Sequence, residues 1–361
     1  MKQSNLQKAA SQFGNGIPEI ESLGQGLIHR TFKVSFSGNS KPVVLQCINE
    51  RTFSLPENII HNYHLVDEYL QQQPNAVKIP GLVPTHQNKF FWIDDDEKFW
   101  RATTLIPDSC SLPVPENKEN AFCAARCFAQ LTSSLIGINT SRLNIIIPRF
   151  HDLEFRYKQF EEAVSKGSIM RLLRSTHVIS ELRDRNELVD FYRKLVDETD
   201  YPTRVMHHDC KISNILFHKD TKEVLCPVDL DTLMPGKYFS DIGDMIRSMA
   251  CTVDENSTAW EKISIHSDYY GAIISGYLDG IGNILTDKEK ENLHYSGLIM
   301  IYMQAVRFVA DFLNNDIYYK TEYPEQNLNR ALNQLILLEK LEEFLQNTYS
   351  FTAYNKNSRN K

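Results

Sequence analysis

The sequence predicts an α+β protein of two lobes, in which a small strand-rich N-terminal lobe precedes a large, mostly helical C-terminal lobe. Short alternating or apolar runs separated by turn residues fill the first hundred positions, as expected for strands. After a Pro-, Ser- and Asn-rich stretch at 104–120, apolar residues recur at spacings of three and four, which is the helical period. With 361 residues, the chain is also too long for one ordinary core.

The first lobe is predicted to contain three strands, one helix and two further strands. The strands are predicted at 19–26, 30–36, 42–49, 89–93 and 99–106. The helix, at 54–73, begins with Ser54 as a possible cap and carries apolar residues at helical spacing. The acidic run 94–97 could suggest calcium. A hairpin tip is the plainer interpretation, because both flanks are strand-like and no EF-hand glycine follows.

The second lobe is predicted to be built from long amphipathic helices. These are expected at 121–137, 153–167, 179–198, 267–281, 288–313 and 327–346. We place the boundary near Thr104 to Pro107, which gives lobes at 1–104 and 105–361. A cleft between two such lobes is where a ligand is expected.

Composition and charge narrow the range of partners and compartments. A net charge of -7 and a pI near 5.9 provide no basic footprint for nucleic acid. The N-terminus has no secretory pattern, and the apolar run 297–313 is interrupted by charges and too short to cross a bilayer. The seven cysteines include no CxxC pair, which is typical of reduced thiols. We therefore expect a cytoplasmic protein without membrane or nucleic-acid partners.

A polar loop, "HHDCKISN" at 207–214, carries the first chemical signal. His207, Asp209 and Asn214 have the H-x-D-x-x-x-x-N spacing of a kinase catalytic loop. In such a loop the aspartate orients and deprotonates the acceptor hydroxyl, and the asparagine reaches magnesium. Lys211 is placed to contact the transferred phosphoryl group. On spacing alone, an ordinary polar turn is the alternative.

A strand that ends in two carboxylates, Asp229 and Asp231, carries the second signal. Phosphoryl transfer needs an acidic ligand for magnesium shortly after the catalytic loop, and side chains at i and i+2 of a strand share a face. With Asn214 they form a hard-oxygen set that suits Mg²⁺ better than zinc. A solvated strand end is the alternative.

The glycines at 24 and 26 suggest a nucleotide site in the first lobe. Gly24 and Gly26 lie at the end of the first predicted strand and before the second, where a turn could approach phosphates closely, although a simple hairpin turn also fits. Thr31, Gln46 and Ile106 are the further candidates for binding the nucleotide. Gln46 stands where a kinase strand lysine is expected, which argues against a protein kinase.

Taken together, the motifs resemble the aminoglycoside phosphotransferase and choline kinase superfamily, and most closely its N-acetylhexosamine 1-kinase group. The similar stretches are "LQCIN", "PRFHDLEFR", "HHDCKISN", "VDLDTLMPG", "SDIGDMIR" and "VRFVADFLNNDIYYKT". With the glycine stretch that begins at Leu23, the motifs follow in order from residue 23 to about 321. The sequence departs from the group at Leu27, His29 and Cys210, which leaves the exact sugar in doubt.

The resemblance implies a protein-kinase-like fold, with a small antiparallel-sheet lobe for the nucleotide and a helical lobe for the catalytic loop and acceptor. It implies ATP as phosphoryl donor, Mg²⁺ on Asn214 and Asp229 with Asp231 nearby, and Asp209 as base for the 1-hydroxyl of GlcNAc or GalNAc. Arg307 and Tyr318 match positions that face the sugar.

The resemblance implies further roles and leaves alternatives open. His29 is a further candidate for the substrate site, and Asp241 is expected to brace the catalytic loop. Arg307 could instead form a structural ion pair with Asp311, one helical turn on. Other acceptors (choline, homoserine or an aminoglycoside) and an inactive kinase-like binding protein also remain open, as do nucleotide preference and oligomeric state.

Overall fold

In the computed structural model, which describes residues 3–23 and 28–353, strands and helices follow the predicted order with several additions. The strands are β1 Pro18–Ser22, β2 Arg30–Phe36, β3 Val43–Cys47, β4 Leu82–Val83, β5 Trp92–Ile93, β6 Phe99–Thr104, β7 Ser109–Ser111, β8 Arg204–Met206, β9 Ile215–His218, β10 Val224–Pro227 and β11 Met234–Gly236. The helices are α1 Gln3–Ala10, α2 Pro56–Gln71, α3 Lys118–Ser134, α4 Leu153–Lys166, α5 Ile169–Arg183, α6 Glu187–Asp197, α7 Phe239–Met249, α8 Ser267–Ile281, α9 Asp287–Glu291, α10 Leu293–Leu313 and α11 Gln326–Tyr349.

The chain divides into two compact units. The first, the strand unit, contains the described residues of 1–111, 134–148 and 214–235. The second, the helical unit, contains those of 112–133, 149–213 and 236–361. The units differ from the predicted lobes, because two later segments return to the strand unit. The functional division at residue 104 therefore stays a prediction.

The strand unit is built on an antiparallel sheet of six strands in the order β1-β2-β3-β6-β4, with β5 also paired to β6. Its core side chains alternate along the strands, as in Val43 and Leu45 of β3, and pack with Phe13 and Trp100. β7, β9 and β10 form a second, three-stranded sheet. The antiparallel sheet expected of the N-terminal lobe is confirmed.

The acidic run at 94–97 forms the tip of the β5–β6 hairpin, as predicted. The buried carboxylate of Asp94 accepts hydrogen bonds from the backbone N–H groups of Asp96 and Lys98, at 2.9 and 2.8 Å. It also accepts one from the Trp100 indole at 2.9 Å. These donors fix the turn through its first aspartate, which is a frequent role of aspartate in turns.

The helical unit packs α4, α7 and α11 around α10. By length and composition, α10 is apolar enough to cross a membrane, but 89% of its most apolar stretch is buried within the fold. The prediction that the run is too short to cross a bilayer is wrong, because the helix begins at Leu293 and has 21 residues, whereas the prediction of a buried helix is confirmed.

The helix predicted at 179–198 is interrupted, because α5 ends at Arg183 and α6 begins at Glu187. At the break, the buried Arg185 pairs with Glu181 and Glu342, at 2.6 and 3.1 Å. Turning the backbone at this point gives a buried arginine its partners, and a buried charge requires such partners.

Candidate active site

The catalytic-loop residues Asp209 and Lys211 lie in the helical unit, just after β8. An oxygen of Asp209 is 3.1 Å from Nζ of Lys211, and their side chains are 24% and 35% exposed. The structure therefore brings the two predicted catalytic residues into contact. Both remain accessible enough to meet a small molecule.

Asp241, in the first turn of α7, holds the backbone of this loop. Its buried carboxylate accepts hydrogen bonds from the N–H groups of His207 and His208, at 3.0 and 2.8 Å. His208 has a φ of 67°, a left-handed conformation that is uncommon outside glycine and needs support from its surroundings. The predicted role of Asp241 as a brace is confirmed.

Cys210 has a structural explanation that its sequence position does not reveal. The side chain is fully buried, and burial, followed by the nearby Asp241, raises the pKa of the thiol well above its ordinary value. The thiol stays neutral and hydrogen-bonds the Asp241 carboxylate. Cys210 is therefore part of the brace, and its high pKa argues against chemistry as a nucleophile.

An aromatic–arginine cluster, formed by Phe150, His151, Arg156, Arg307 and Tyr318, adjoins the catalytic loop. The guanidinium carbon of Arg307 lies 5.6 and 5.7 Å from the ring centroids of Phe150 and Tyr318. The rings of Phe150 and His151 lie 6.3 and 5.3 Å from the ring of His208, the neighbour of Asp209. Two predicted substrate residues, Arg307 and Tyr318, are thus brought together in a cluster that packs against His208.

The cluster has a positive electrostatic character. Burial, followed by the charge of Arg307, lowers the pKa of Arg156 to about 10. Burial, followed by His208 and Arg307, lowers the pKa of His151 well below its ordinary value, so this ring is neutral near pH 7. Both pKa values are lowered because burial and nearby positive charges disfavour the protonated, positively charged form of each side chain.

The predicted alternative for Arg307, an ion pair with Asp311, is not formed. The Asp311 carboxylate instead accepts hydrogen bonds from the backbone N–H groups of Tyr318 and Tyr319, at 2.8 and 3.0 Å. Arg307 donates to Oε1 of Gln304 at 3.0 Å. Asp311 therefore positions the tyrosine segment, and Arg307 keeps donors for another acceptor.

The nucleotide candidates lie in the strand unit, where the sheet register aligns Thr31, Gln46 and Arg101 on β2, β3 and β6. Gln46 donates to Oγ1 of Thr31 at 3.3 Å and accepts from Nε and Nη2 of Arg101 at 3.0 and 2.8 Å. Ile106 follows β6, and its carbonyl accepts from Ser109 at 2.7 Å. Gly24 and Gly26 lie outside the described residues.

Asn214 and Asp229 are brought together where the loop enters the strand unit. The backbone N–H of Val228 donates to the carbonyl of Asn214 at 2.8 Å, so the residue that precedes Asp229 pairs with Asn214. Asp229 adopts a left-handed conformation, with φ 59° and ψ 54°. A carboxylate and an amide oxygen are ligands that Mg²⁺ accepts, so this pair fits the predicted metal.

Asp231 and His29 lie together in the strand unit, although one was predicted as a metal ligand and the other as a substrate residue. The Asp231 carboxylate contacts Nη2 of Arg101 at 2.5 Å and Nε2 of His29 at 2.6 Å. Burial opposes ionisation of this carboxyl, but the charge of Arg101 and the hydrogen bond from His29 outweigh it and lower the pKa of Asp231 to about 2.

Sequence reasoning missed Arg101, Phe150 and His151. Arg101 had one visible signal, a charged residue inside the apolar strand "FWRATTLI", because such a residue must find partners when buried. Phe150 and His151 lie within "PRFHDLEFR", a stretch that contributed to the family resemblance without assigned roles.

The comparisons with known proteins concern the fold and one part of the sequence. A model of the phosphotransferase enzyme family (APH) matches residues 149–263, which include Asp209, Lys211, Asn214 and Asp229. The protein-kinase-like fold of the aminoglycoside phosphotransferases, predicted from the resemblance, is confirmed.

Three solved structures illustrate the similarity. A microcompartment-associated aminopropanol kinase has 13% identity over 96% of this chain and 98% of its own, with a TM-score of 0.65. An aminoglycoside phosphotransferase from Alicyclobacillus acidocaldarius subsp. acidocaldarius DSM 446 has 16% identity over 95% of both chains, with a TM-score of 0.64. A spectinomycin phosphotransferase, solved with ADP and spectinomycin, has 13% identity over 90% of this chain and 93% of its own, with a TM-score of 0.54.

Proposed function

We propose that the protein is a small-molecule kinase that transfers the γ-phosphoryl group of ATP to the anomeric 1-hydroxyl of an N-acetylhexosamine, GlcNAc or GalNAc. The aromatic–arginine cluster beside the catalytic loop carries the acceptor assignment. The matched phosphotransferase model and a neighbour solved with ADP support the reaction class and the nucleotide. A soluble, cytoplasmic enzyme of carbohydrate metabolism is part of the same proposal.

The proposed roles follow from the chemistry of each side chain. Asp209 orients the acceptor hydroxyl and takes its proton as the oxygen attacks, and Lys211 stabilises the charge on the transferred group. Asn214 and Asp229 hold Mg²⁺, which supplies charge neutralisation at the nucleotide phosphates when bound. Most of the catalytic effect then comes from positioning and electrostatics.

The nucleotide is assigned to the strand unit. We assign Thr31, Gln46 and Ile106 to the part of the nucleotide site that the sheet forms, and Gly24 and Gly26 to the phosphates. Gln46 is neutral, so it offers hydrogen bonds where a lysine would offer charge. Charge neutralisation therefore depends on Mg²⁺ and Lys211.

A sugar suits the aromatic–arginine cluster better than an amine does. Aromatic rings pack against the apolar face of a sugar, and a guanidinium donates to hydroxyl and amide oxygens. A cationic acceptor such as choline is favoured by carboxylates or by an open aromatic cage. Here the rings of Phe150 and Tyr318 already face Arg307, and Arg156 adds a second positive charge.

A coupled ADP-release screen with Mg²⁺ tests the acceptor class. The panel holds GlcNAc, GalNAc, free hexoses, choline, ethanolamine, aminopropanol, homoserine and aminoglycosides. We expect turnover with the N-acetylhexosamines, and phosphate on the anomeric oxygen by NMR. Turnover confined to an amino alcohol or aminoglycoside would refute the sugar assignment and leave the kinase assignment intact. Background rates on every acceptor would instead favour an inactive binding protein.

The variant Arg307→Met tests the role of the cluster directly. Removing a hydrogen bond from a charged group costs about 1.5–3 kcal/mol, which corresponds to a rise of about 10- to 150-fold in the KM for the sugar. The KM for ATP should stay unchanged. Arg174→Met is the matched control, because Arg174 is half exposed and pairs with Glu325 at the surface. An unchanged sugar KM in Arg307→Met would contradict the assignment.

A further inference from the structure

We propose that Asp231 is a positioning residue and does not ligate the metal: with Arg101 and His29 it forms a buried anchor that fixes the turn carrying Asp229. The metal and nucleotide roles in this inference rest on the proposed function. The anchor itself is defined by contacts within the strand unit. It replaces the predicted roles of Asp231 as a metal ligand and of His29 as a substrate residue.

The first reason is the surroundings of the Asp231 carboxylate: Oδ2 is hydrogen-bonded to His29, and Oδ1 makes an ion-pair contact with Arg101 that lacks hydrogen-bond geometry. Oδ1 lies 2.5 Å from Nη2 of Arg101, and Oδ2 lies 2.6 Å from Nε2 of His29. The side chain of Asp231 is only 2% exposed, and those of its two partners are 2% and 5% exposed. A magnesium ion bound to Asp231 would have to displace the Arg101 guanidinium. Both groups are positively charged, so they would repel each other, and the buried guanidinium would lose its partner.

The second reason is that both ring nitrogens of His29 already have partners. The backbone N–H of Asn49 donates to Nδ1 of His29 at 3.0 Å, so Nδ1 acts as an acceptor. Nε2 hydrogen-bonds with the Asp231 carboxylate at 2.6 Å. The ligand atoms of His29, Asp229 and Asp231 do lie within 4.8 Å of one another. A metal ion bound by His29 would have to replace one of these hydrogen bonds, so this spacing alone does not make a metal site.

The third reason is that Arg101 connects the anchor to the sheet position that lacks the strand lysine. Arg101 lies directly across from Gln46 and donates two hydrogen bonds to it. It also lies 5.9 Å from the ring centroid of Tyr63 on α2. In protein kinases a lysine at this strand position links the phosphates to a helix. Here a neutral glutamine and a buried arginine occupy the corresponding region.

The anchor therefore joins four separate segments of the strand unit. His29 immediately precedes β2, Gln46 lies on β3, Arg101 lies on β6, and Asp231 lies in the 3₁₀ turn Leu230–Thr232. Asp229, with its left-handed backbone, comes just before that turn. A non-glycine residue in the left-handed conformation is strained unless the surrounding structure holds it. The buried contacts of Asp231, two residues further on, hold the turn that follows Asp229. The side chain of Asp229 is partly exposed, and the proposed function assigns the metal to it.

Nucleotide affinity with and without metal separates a ligand from a positioning residue. ADP binding is measured by calorimetry in Mg²⁺ and in EDTA for the parent chain, Asp229→Asn and Asp231→Asn. We expect Mg²⁺ to tighten ADP binding at least tenfold in the parent. The tightening of ADP binding by Mg²⁺ should vanish in Asp229→Asn. In Asp231→Asn it should persist within threefold of the parent value. The kcat of Asp231→Asn should fall, and its KM for the acceptor should stay unchanged. Equal loss of the Mg²⁺ gain in both variants would overturn the inference.

Two further measurements keep the inference testable if Asp231→Asn folds poorly or if no nucleotide binds. Nitrogen-15 NMR of the His29 ring should show the proton on Nε2, before and after addition of Mg²⁺ and ADP. Loss of that proton signal on metal addition would refute the anchor. In thermal unfolding, Arg101→Met and Asp231→Asn should each lower Tm, and the double variant should lose less than the sum of the two. Additive losses would also refute it. Absence of ADP binding in the parent chain would count against the proposed function alone.

Discussion

The brace on the catalytic loop makes the sharpest prediction, because its partners are few and buried. Asp241 is 1% exposed and accepts hydrogen bonds from two backbone N–H groups and from the thiol of Cys210. In Asp241→Asn, one acceptor oxygen remains, and an amide NH₂ group takes the place of the other. That group is a donor, and it faces a backbone donor. One N–H group is left unsatisfied and the other loses its charged acceptor.

The expected loss can be summed from these changes. An unsatisfied buried N–H costs about 1–3 kcal/mol, and replacing a charged acceptor by a neutral one costs about 1 kcal/mol. We therefore expect Asp241→Asn to lower the free energy of unfolding by about 2–4 kcal/mol. The loop should also move, and a displacement near 1 Å can lower kcat by about 10²-fold.

Urea denaturation of the purified chain and steady-state kinetics measure both effects. Asp197→Asn is the matched control, because it removes an exposed carboxylate from α6 and should change stability by less than about 0.5 kcal/mol. A loss below about 1 kcal/mol in Asp241→Asn, with kcat unchanged, would refute the reasoning that this carboxylate holds the loop.

Three further predictions concern the base, helix packing and pH. Asp209→Asn should lower kcat by about 10²–10⁴-fold while calorimetric ADP affinity stays the same, and equal losses of both would contradict the base assignment. Gly276→Ala should destabilise the fold by about 1–3 kcal/mol in urea, because the new Cβ would lie 2.3 Å from the carbonyl oxygen of Phe122. Gly271→Ala, on the same helix with open space around it, should be neutral or stabilising by up to about 1 kcal/mol. For His151, the folded pKa lies below the ordinary 6.5, so the unfolded chain takes the proton first. Stability should fall below pH 6.5 by up to about 1.4 kcal/mol per pH unit, and His151→Gln should reduce that slope.

Most of the strand unit could be predicted because its signals are local. The positions that are buried along β3 alternate and all hold apolar residues, and the turn at 94–97 is set by the aspartate that begins it. The two-residue strand β4 was missed, since it exists only through its pairing with β6. The interruption between α5 and α6 was missed for the same kind of reason, because two partners of Arg185, Glu339 and Glu342, lie on the distant helix α11.

The candidate site divides in the same way. The catalytic-loop residues and the carboxylates after β10 have fixed spacings, so sequence alone could nominate them. Arg101 and His29 meet Asp231 only because a distant turn returns to the sheet, and His29 lies 202 positions before that aspartate. No spacing rule connects such positions. The aromatic–arginine cluster likewise joins the segment before α4 to a residue on α10, far along the chain.

Exposure distinguishes the aspartates that sequence alone could not rank. Asp209 is 24% exposed and Asp229 is partly exposed, whereas Asp241 and Asp231 are almost fully buried and their oxygens accept hydrogen bonds or pair with a cation. A carboxylate must reach substrate or metal to act on it, so the first pair suits chemistry and the second suits support. Each unit thus contributes one accessible aspartate and one buried aspartate that fixes the backbone beside it. A buried carboxylate that accepts hydrogen bonds or pairs with a cation fixes the backbone beside it, and a partly exposed carboxylate on the same segment can meet substrate or metal.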